Sequence, residues 1–186
     1  MKVLAISGSL RSGSHNTMLL RAAGGLLPAA VECELLDPEI LRSIPHYDED
    51  LRELGEPPAV ALLRERVAAA DALLLSTPEY NHSLPGALKN AIDWLSRPLA
   101  QSPFKGKDAL VLGSSTGMFG AVWAQAELRK VLGAVGARVV DAELPVPQAG
   151  ELLDADGSLA DEDVGSALAE HLGLLPGIGA GERIAA

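Results

Sequence analysis

Short apolar runs of strand length alternate along the chain with segments whose apolar residues recur every three or four positions. Lys2 to Ser7 (KVLAIS) is an apolar run that ends in serine and glycine, and Asn16 to Leu27 places Met18, Leu19, Leu20, Ala22, Ala23 and Leu26 at helical spacing. The pair reads as a strand followed by a helix. Val31 to Leu36 (VECELL) alternates as a strand nearer a sheet edge does, and Asp37 to Pro58, rich in Pro, Asp and Glu, reads as a long irregular connection of a length that can cover a site. Ala59 to Ala70 is helical, and Ala72 to Ser76 (ALLLS) is the continuous apolar run of a buried parallel strand. Pro85 suits the first position of the next helix, which runs to about Ser96. Asp108 to Gly113 (DALVLG) is a further buried strand, a helix follows from about Ala121 to Leu132, and a last short strand lies near Arg138 to Asp141.

Five strands alternating with helices predict an α/β fold: a doubly wound, five-stranded parallel sheet of order 2-1-3-4-5 with helices on both faces. The rest is peripheral, with a loop-like stretch after Glu143, weak helical character over 160–172 and a glycine-rich end. One domain is expected over 1–186, with a loose C-terminal tail from about 174 to 186.

Composition narrows the class. With 48% hydrophobic and 22% charged residues the chain is globular, and no apolar run is long enough to span a bilayer. The opening MKVLAISGSLRSG makes a poor signal peptide and a good first strand, so a cytoplasmic protein is expected. The single cysteine, Cys33, rules out an intramolecular disulfide and any multi-cysteine metal cluster. A formal net charge of -10 repels polyanions, so neither nucleic acid nor an anionic membrane is expected as a partner. Any anion must be bound locally.

In a 2-1-3-4-5 sheet the ligand crevice lies outside the carboxyl ends of strands 1, 3 and 4. The loops there are GSLRSGSHN, TPEYNHSLPG and SSTGMFG, the three most distinctive polar stretches of the chain. The first leads straight into a helix, so backbone N–H groups, hydroxyls and the Arg11 guanidinium can converge on a phosphate. Gly8 and Gly13 match the glycines of a nucleotide-hydrolase loop, yet Ser14 replaces its lysine, and Leu10 breaks the dinucleotide-binding glycine pattern. The phosphate is therefore expected to be held rather than transferred. The plainer alternative makes Ser12 or Ser14 a helix cap and Arg11 a solvated charge. The second loop packs a proline, an aromatic ring and several hydrogen-bonding groups together, as a planar polar heterocycle requires. Tyr80 can equally cover the sheet edge, His82 can stabilise its loop, and Glu79 can bond the loop's own backbone. Lys89, Asp93 and Trp94, on the following helix, are assigned to packing, subunit contact or solvation. The third loop allows close backbone approach at two glycines or is a plain turn.

GSLR-x(4)-N together with PEYN-x-S-x-PG-x-LKN, followed by GSSTGMFG, resembles the NADPH-dependent FMN reductase family, which includes flavodoxin-like bacterial quinone and chromate reductases. The likeness covers the order of elements from Met1 to about Leu172. It implies that Ser9, Arg11, Ser14, Asn16 and Thr17 surround an FMN phosphate. By the same likeness Pro78, Glu79, Tyr80, Asn81 and Ser83 line the ribityl chain and isoalloxazine, and Ser115 and Gly117 approach the ring. Ala121 departs from the pattern, since relatives often carry a further glycine after Gly120, and the end of the chain after Leu172 matches no pattern.

With FMN carrying the chemistry, no side-chain nucleophile is required. The expected activity is ping-pong turnover in which NADPH or NADH reduces FMN, and reduced FMN passes electrons to a quinone, chromate, an azo compound or free flavin. Backbone N–H groups of the 79–83 loop are expected to stabilise negative charge on the flavin edge. The rival functions are a flavodoxin-type electron carrier, against which Arg11 argues, and an FMN-binding sensor without activity. The resemblance implies a homodimer or homotetramer, with Trp94 and Trp123 as candidate anchors.

Overall fold

The structure is a computed structural model, and it describes residues 1–152, 159 and 161–178. The strands are β1 (Lys2–Ser7), β2 (Glu32–Leu35), β3 (Ala72–Thr77), β4 (Asp108–Ser114), β5 (Arg138–Val139) and β6 (Pro145–Val146). The helices are α1 (His15–Leu26), α2 (Pro38–Arg42), α3 (Glu49–Leu54), α4 (Pro58–Ala69), α5 (Gly86–Leu95), α6 (Val122–Ala134), α7 (Ala149–Leu152) and α8 (Glu162–Leu172). All strand pairs are parallel, and the order is β2-β1-β3-β4-β5, as the alternation predicts.

Side-chain alternation along the central strands separates two cores. Leu4, Ile6, Leu73, Leu75, Ala109 and Val111 face one side, under α2, α4, α5 and α6. Val3, Ala5, Ala72, Leu74, Leu110 and Leu112 face the other, under α1 and α8. These strands are buried on both faces, which is why they read as unbroken apolar runs. Register then sets the site: Ser7 lies opposite Ser76, and Ser76 opposite Leu112, so β1, β3 and β4 end almost level.

The fifth strand is interrupted. β5 pairs with Asp108 and Ala109 at the start of β4, whereas β6 pairs with Gly113 and Ser114 at its end. The chain between Val139 and Pro145 is longer than the stretch of β4 from Ala109 to Gly113 that it runs beside, so it bulges out in between. The expected strand over 138–141 is therefore only the first half of that sheet edge.

The connection 37–58 is more regular than its composition predicts. Asp37 and Asp48 each accept a hydrogen bond from the amide two residues on and so start α2 and α3. Its middle is pinned to α5: the Pro45 carbonyl accepts from Asn90 Nδ2 at 2.8 Å and Trp94 Nε1 at 2.9 Å, and Tyr47 N donates to Asn90 Oδ1 at 2.8 Å. Trp94 is 1% exposed and meets Tyr47 edge to face, so it anchors this connection and is no candidate for a subunit interface.

At the other end, Asp161 accepts from Asp163 N and Val164 N and starts α8, a firmer helix than the weak periodicity over 160–172 implies. Leu175 and Ile178 are buried in the second core, so the first part of the segment expected as a loose tail is packed. Residues 179–186 of that expectation lie outside the described residues.

Two glycines on the β4 side accept no side chain. A methyl at Gly120 would stand 2.6 Å from Val146 N, and one at Gly113 would stand 2.7 Å from Gln125 Nε2. Ala121 has φ 62°, a conformation that costs a non-glycine residue on the order of 1–2 kcal/mol. Its methyl is 1% exposed, and burial of that group, worth about 0.8 kcal/mol, offsets much of the cost of having no glycine there. Gln125 is fully buried; its Nε2 donates to the Gly120 carbonyl and its Oε1 accepts from Leu144 N. Replacing Gly113 with Ala is expected to destabilise the protein by about 1–3 kcal/mol in urea unfolding. Combined with Gln125→Ala, whose missing side chain makes room for that methyl, the loss is expected to fall short of the sum of the two single losses.

Candidate functional site

The loop from β1 into α1 is stitched by short polar contacts. Ser14 is the N-cap of α1, with φ -75° and ψ 121°, and its Oγ accepts from Thr17 N at 3.2 Å. Thr17 Oγ1 donates to Ser7 Oγ at 3.0 Å, which seats the first turn on the end of β1. Ser9 N donates to Ser7 Oγ at 3.3 Å, and from behind, Arg42 Nη2 donates to the Leu10 carbonyl at 2.7 Å. The amides of residues 12–16 have no hydrogen-bond partner among the described residues. Arg11 is exposed and has no carboxylate within ion-pair distance among them.

Asn16 has a different task from its neighbours. Its Oδ1 accepts from Ser76 Oγ at 2.7 Å and from Ser114 N at 3.0 Å, and its Nδ2 donates to the Ser114 carbonyl at 3.0 Å. One side chain, 3% exposed, thus joins the start of α1 to the ends of β3 and β4. Both acceptor positions and one of the two donor positions of the amide are used, leaving a single N–H for anything else.

The second loop folds into a two-residue turn. Tyr80 and Ser83 exchange backbone hydrogen bonds of 3.0 and 3.1 Å, with Asn81 at φ 53° and His82 at φ 60° between them. Both signs are positive, as in a type I′ turn, and Asn and His are among the residues that tolerate this region best. Two carboxylates hold the turn to α6. Glu79 Oε2 accepts from Trp123 N at 3.1 Å and Ala124 N at 3.2 Å, capping a helix whose own N-cap, Ala121, has no side-chain hydrogen bond. Glu127 Oε2 accepts from Ser83 Oγ and from Leu84 N. His82 packs edge-on against Trp123 with ring centres 4.9 Å apart and lies 3.6 Å from Glu79. It therefore supports its loop, and Glu79 bonds the backbone of another helix rather than that of its own loop.

The third loop is held by the chain beyond β4. Ser115 N donates to the Val146 carbonyl at 3.1 Å, Ala149 N to the Ser115 carbonyl at 3.0 Å, and Gln148 N to the Gly117 carbonyl at 3.1 Å.

The three loops enclose a polar cleft of about 180 Å³. Of the residues singled out from sequence, Ser9, Arg11, Ser14, Asn16, Pro78, Glu79, Tyr80 and Ser115 line it. Thr17, Asn81, Ser83 and Gly117 do not line it and lie in the capping turn, the hairpin and the third loop, with Asn81 and Gly117 exposed. His15, Ser114 and Thr116 line it as well. The last two belong to the SSTGMFG loop, whereas His15 could be found only as the residue between the cap and Asn16. The long connection 37–58 contributes no wall residue and supports the first loop from outside.

Two polar atoms on residues of the lining are buried without a hydrogen-bond partner among the described residues, His15 Nδ1 and Ser114 Oγ. Burial first, and then the Arg11 charge, lower the His15 pKa below its ordinary value, so the imidazole is neutral near pH 7. The wall carboxylate, Glu79, is turned to α6. The cleft thus offers donors and positive charge at the α1 end, chemistry suited to a bound anion. Its volume is below the roughly 300–1,000 Å³ that encloses a drug-sized ligand, so a larger molecule held here projects from it. The described residues contain no group of three His, Cys, Asp or Glu side chains placed to bind a metal, and no helix long and apolar enough to cross a membrane.

Comparison with known proteins agrees with the geometry. Residues 1–151 match the NADPH-dependent FMN reductase family. An NAD(P)H-dependent FMN reductase of Pseudomonas aeruginosa is 47% identical over 94% of this chain and 93% of its own length. A quinone reductase of Escherichia coli is 41% identical over 83% and 86%. Among solved structures, FerB, a flavoenzyme NAD(P)H:(acceptor) oxidoreductase from Paracoccus denitrificans, superposes with a TM-score of 0.81 at 40% identity, covering 91% of each chain. With its 2-1-3-4-5 sheet, its three-loop cleft and a match over most of its length, the chain belongs to the NADPH-dependent FMN reductase family.

Proposed function

We propose that the protein holds FMN in the three-loop cleft and catalyses NAD(P)H-dependent reduction of quinones. The observation that carries this reading is the convergence at the α1 end of the cleft, where unengaged amides and an arginine free of carboxylate partners among the described residues face the same space. Family membership supports the enzymatic reading over a flavodoxin-type carrier, which would not oxidise NAD(P)H unaided.

Ser9, Arg11, Ser14 and the amides of the first turn would hold the phosphate. Asn16 and Thr17 would keep that turn in place, since their side chains are largely engaged within the protein. Pro78, Glu79 and Tyr80 would border the ribityl chain and ring, with Asn81 and Ser83 shaping the turn, and Ser115 and Gly117 would meet the ring from the third loop. FMN held there would supply the redox chemistry, with NADPH or NADH as donor and the quinone as acceptor in alternate half-reactions. The protein's part is to orient, to exclude water from one face and to stabilise charge. Tyr80 N and Ser83 N are spent on each other's carbonyls, so the amides left for charge stabilisation in that loop are those of Glu79, Asn81 and His82. The open cleft imposes little shape selection on the acceptor, which extends the reading to chromate, azo compounds and free flavin.

Trp123 and Phe119, 43% and 59% exposed and packed edge-on, lie with exposed Tyr80 and Met118 beside the second and third loops. They support self-association as a homodimer or homotetramer at this face. A cytoplasmic location accords with the use of reduced nicotinamides.

Purified protein is expected to carry or bind FMN and to oxidise NADPH or NADH with a quinone acceptor, at a light-scattering mass two or four times the 19.3 kDa chain. Absence of both FMN binding and FMN-stimulated NAD(P)H oxidation would overturn the reading; a monomer mass would overturn the assembly alone. Arg11→Ala is expected to weaken FMN binding at low salt by about 1.5–3 kcal/mol, measured by flavin fluorescence titration, because it removes a charge-assisted contact. Glu79→Ala is expected to lower stability by about 0.5–2 kcal/mol through loss of the α6 cap. It should also weaken FMN binding by freeing the Tyr80 to Ser83 turn, and a thermal melt with and without FMN reads both effects.

A further inference from the structure

The cleft wall that carries Tyr80 continues into a turn whose shape is not the relaxed one for its residues. Asn81 and His82 have φ 53° and 60°, and the pair that best suits these two positions is Asn-Gly rather than Asn-His. Such a conformation persists where the structure around it fixes both ends. Glu79 fixes the entrance by accepting from Trp123 N and Ala124 N. The exit is fixed by Glu127, three and four positions further along α6 and on the same face of it. Its Oε2 accepts from Ser83 Oγ at 2.5 Å and from Leu84 N at 3.4 Å. Glu127 does not line the cleft, and it has no lysine, arginine or histidine within ion-pair distance among the described residues. A carboxylate of an acidic chain is thus kept without a counter-ion, and the hydrogen bonds that it accepts come from the turn. From Ser83 the tie passes to the wall itself. Tyr80 N donates to the Ser83 carbonyl at 3.0 Å, Ser83 N donates to the Tyr80 carbonyl at 3.1 Å, and Tyr80 lines the cleft.

Resting on the reading of this cleft as the FMN site, we infer that Glu127 is a positioning residue for the flavin, holding Tyr80 in the wall through Ser83. With the turn already set in the ligand-free protein, binding does not have to order it, and the affinity gained is the ordering cost avoided. The charge of Glu127 acts in the other direction, since a carboxylate near the site opposes a bound phosphate monoester. The two effects differ in sign, and a neutral acceptor in the same place separates them.

Titration of the full-length chain with FMN, followed by flavin fluorescence, tests this in wild type, Glu127→Ala, Glu127→Gln, Ser83→Ala and the variant that combines Glu127→Ala with Ser83→Ala. Each alanine variant is expected to weaken FMN binding by about threefold to tenfold, the factor carried by one hydrogen bond. The combined variant is expected to lose no more than the larger single loss, because both changes break the same bond. Glu127→Gln keeps an acceptor oxygen and is expected to bind FMN as wild type does. In the ligand-free protein, hydrogen exchange at the Tyr80 and Ser83 amides is expected to quicken in both alanine variants and to keep the wild-type rate in Glu127→Gln. Where Glu127→Ala does not fold, Ser83→Ala breaks the same bond and carries the test. FMN affinity unchanged or raised by Glu127→Ala, losses that add in the combined variant, Glu127→Gln behaving as Glu127→Ala, or turn amides indifferent to Glu127→Ala would each overturn the inference. Wild type that binds no FMN would instead overturn the reading of the cleft, while the exchange rates still decide whether Glu127 holds the turn.

Discussion

The side chain of Asn16 is the constraint on which the site is built. It is buried and makes three hydrogen bonds, to Ser76 at the end of β3 and to both backbone groups of Ser114 at the end of β4. Each such bond contributes about 1 kcal/mol net, but breaking the set leaves buried donors and acceptors unpaired at a higher cost. The consequence is geometric. Because α1 starts where β3 and β4 end, the amides of its first turn open into the crevice between them rather than onto bulk water.

A second set of ties fixes the opposite wall. Glu79 and Glu127 are carboxylates of an acidic chain set beside a ligand crevice, where they would repel an anionic ligand if their charge were directed into it. Both are instead used for hydrogen bonds that join the Tyr80 to Ser83 turn to α6. Glu79 also meets the positive end of that helix, where a negative charge is stabilised. A net charge of -10 thus coexists with donors and positive charge at the α1 end of the cleft, because the carboxylate in the lining, Glu79, is bonded to α6 and Arg11 has no carboxylate partner among the described residues. The general repulsion of anions by the chain is thereby relieved at the start of α1.

Much of the architecture was legible from local pattern. Unbroken apolar runs identified β1, β3 and β4, helical spacing identified α1, α4, α5 and α6, and the alternation implied the parallel order that the structure has. The failures share a cause. The connection 37–58 looked irregular because α2 and α3 are short and gain their order from Asp caps and from Trp94 and Asn90 on a distant helix. Trp94 looked available for a partner because helical spacing does not show which neighbour covers a face. The fifth strand was truncated because β6, two residues long and beginning with proline, has no periodicity of its own and exists by pairing with the end of β4.

Residue order alone established which three loops gather at the carboxyl edge of the sheet and which polar groups they carry, because strand, helix and turn preferences act within a few residues. Sequence could not say how those groups are used. Asn16 meets Ser114 across 98 positions, and Glu79 meets the start of α6 across 44. Such pairings arise from closing the sheet and packing the helices, and no local propensity encodes them. Folding therefore gave Asn16 and Glu79, two expected ligand contacts that line the cleft, hydrogen bonds that also support its walls. It also placed His15, which no motif singles out, in the lining of the cleft.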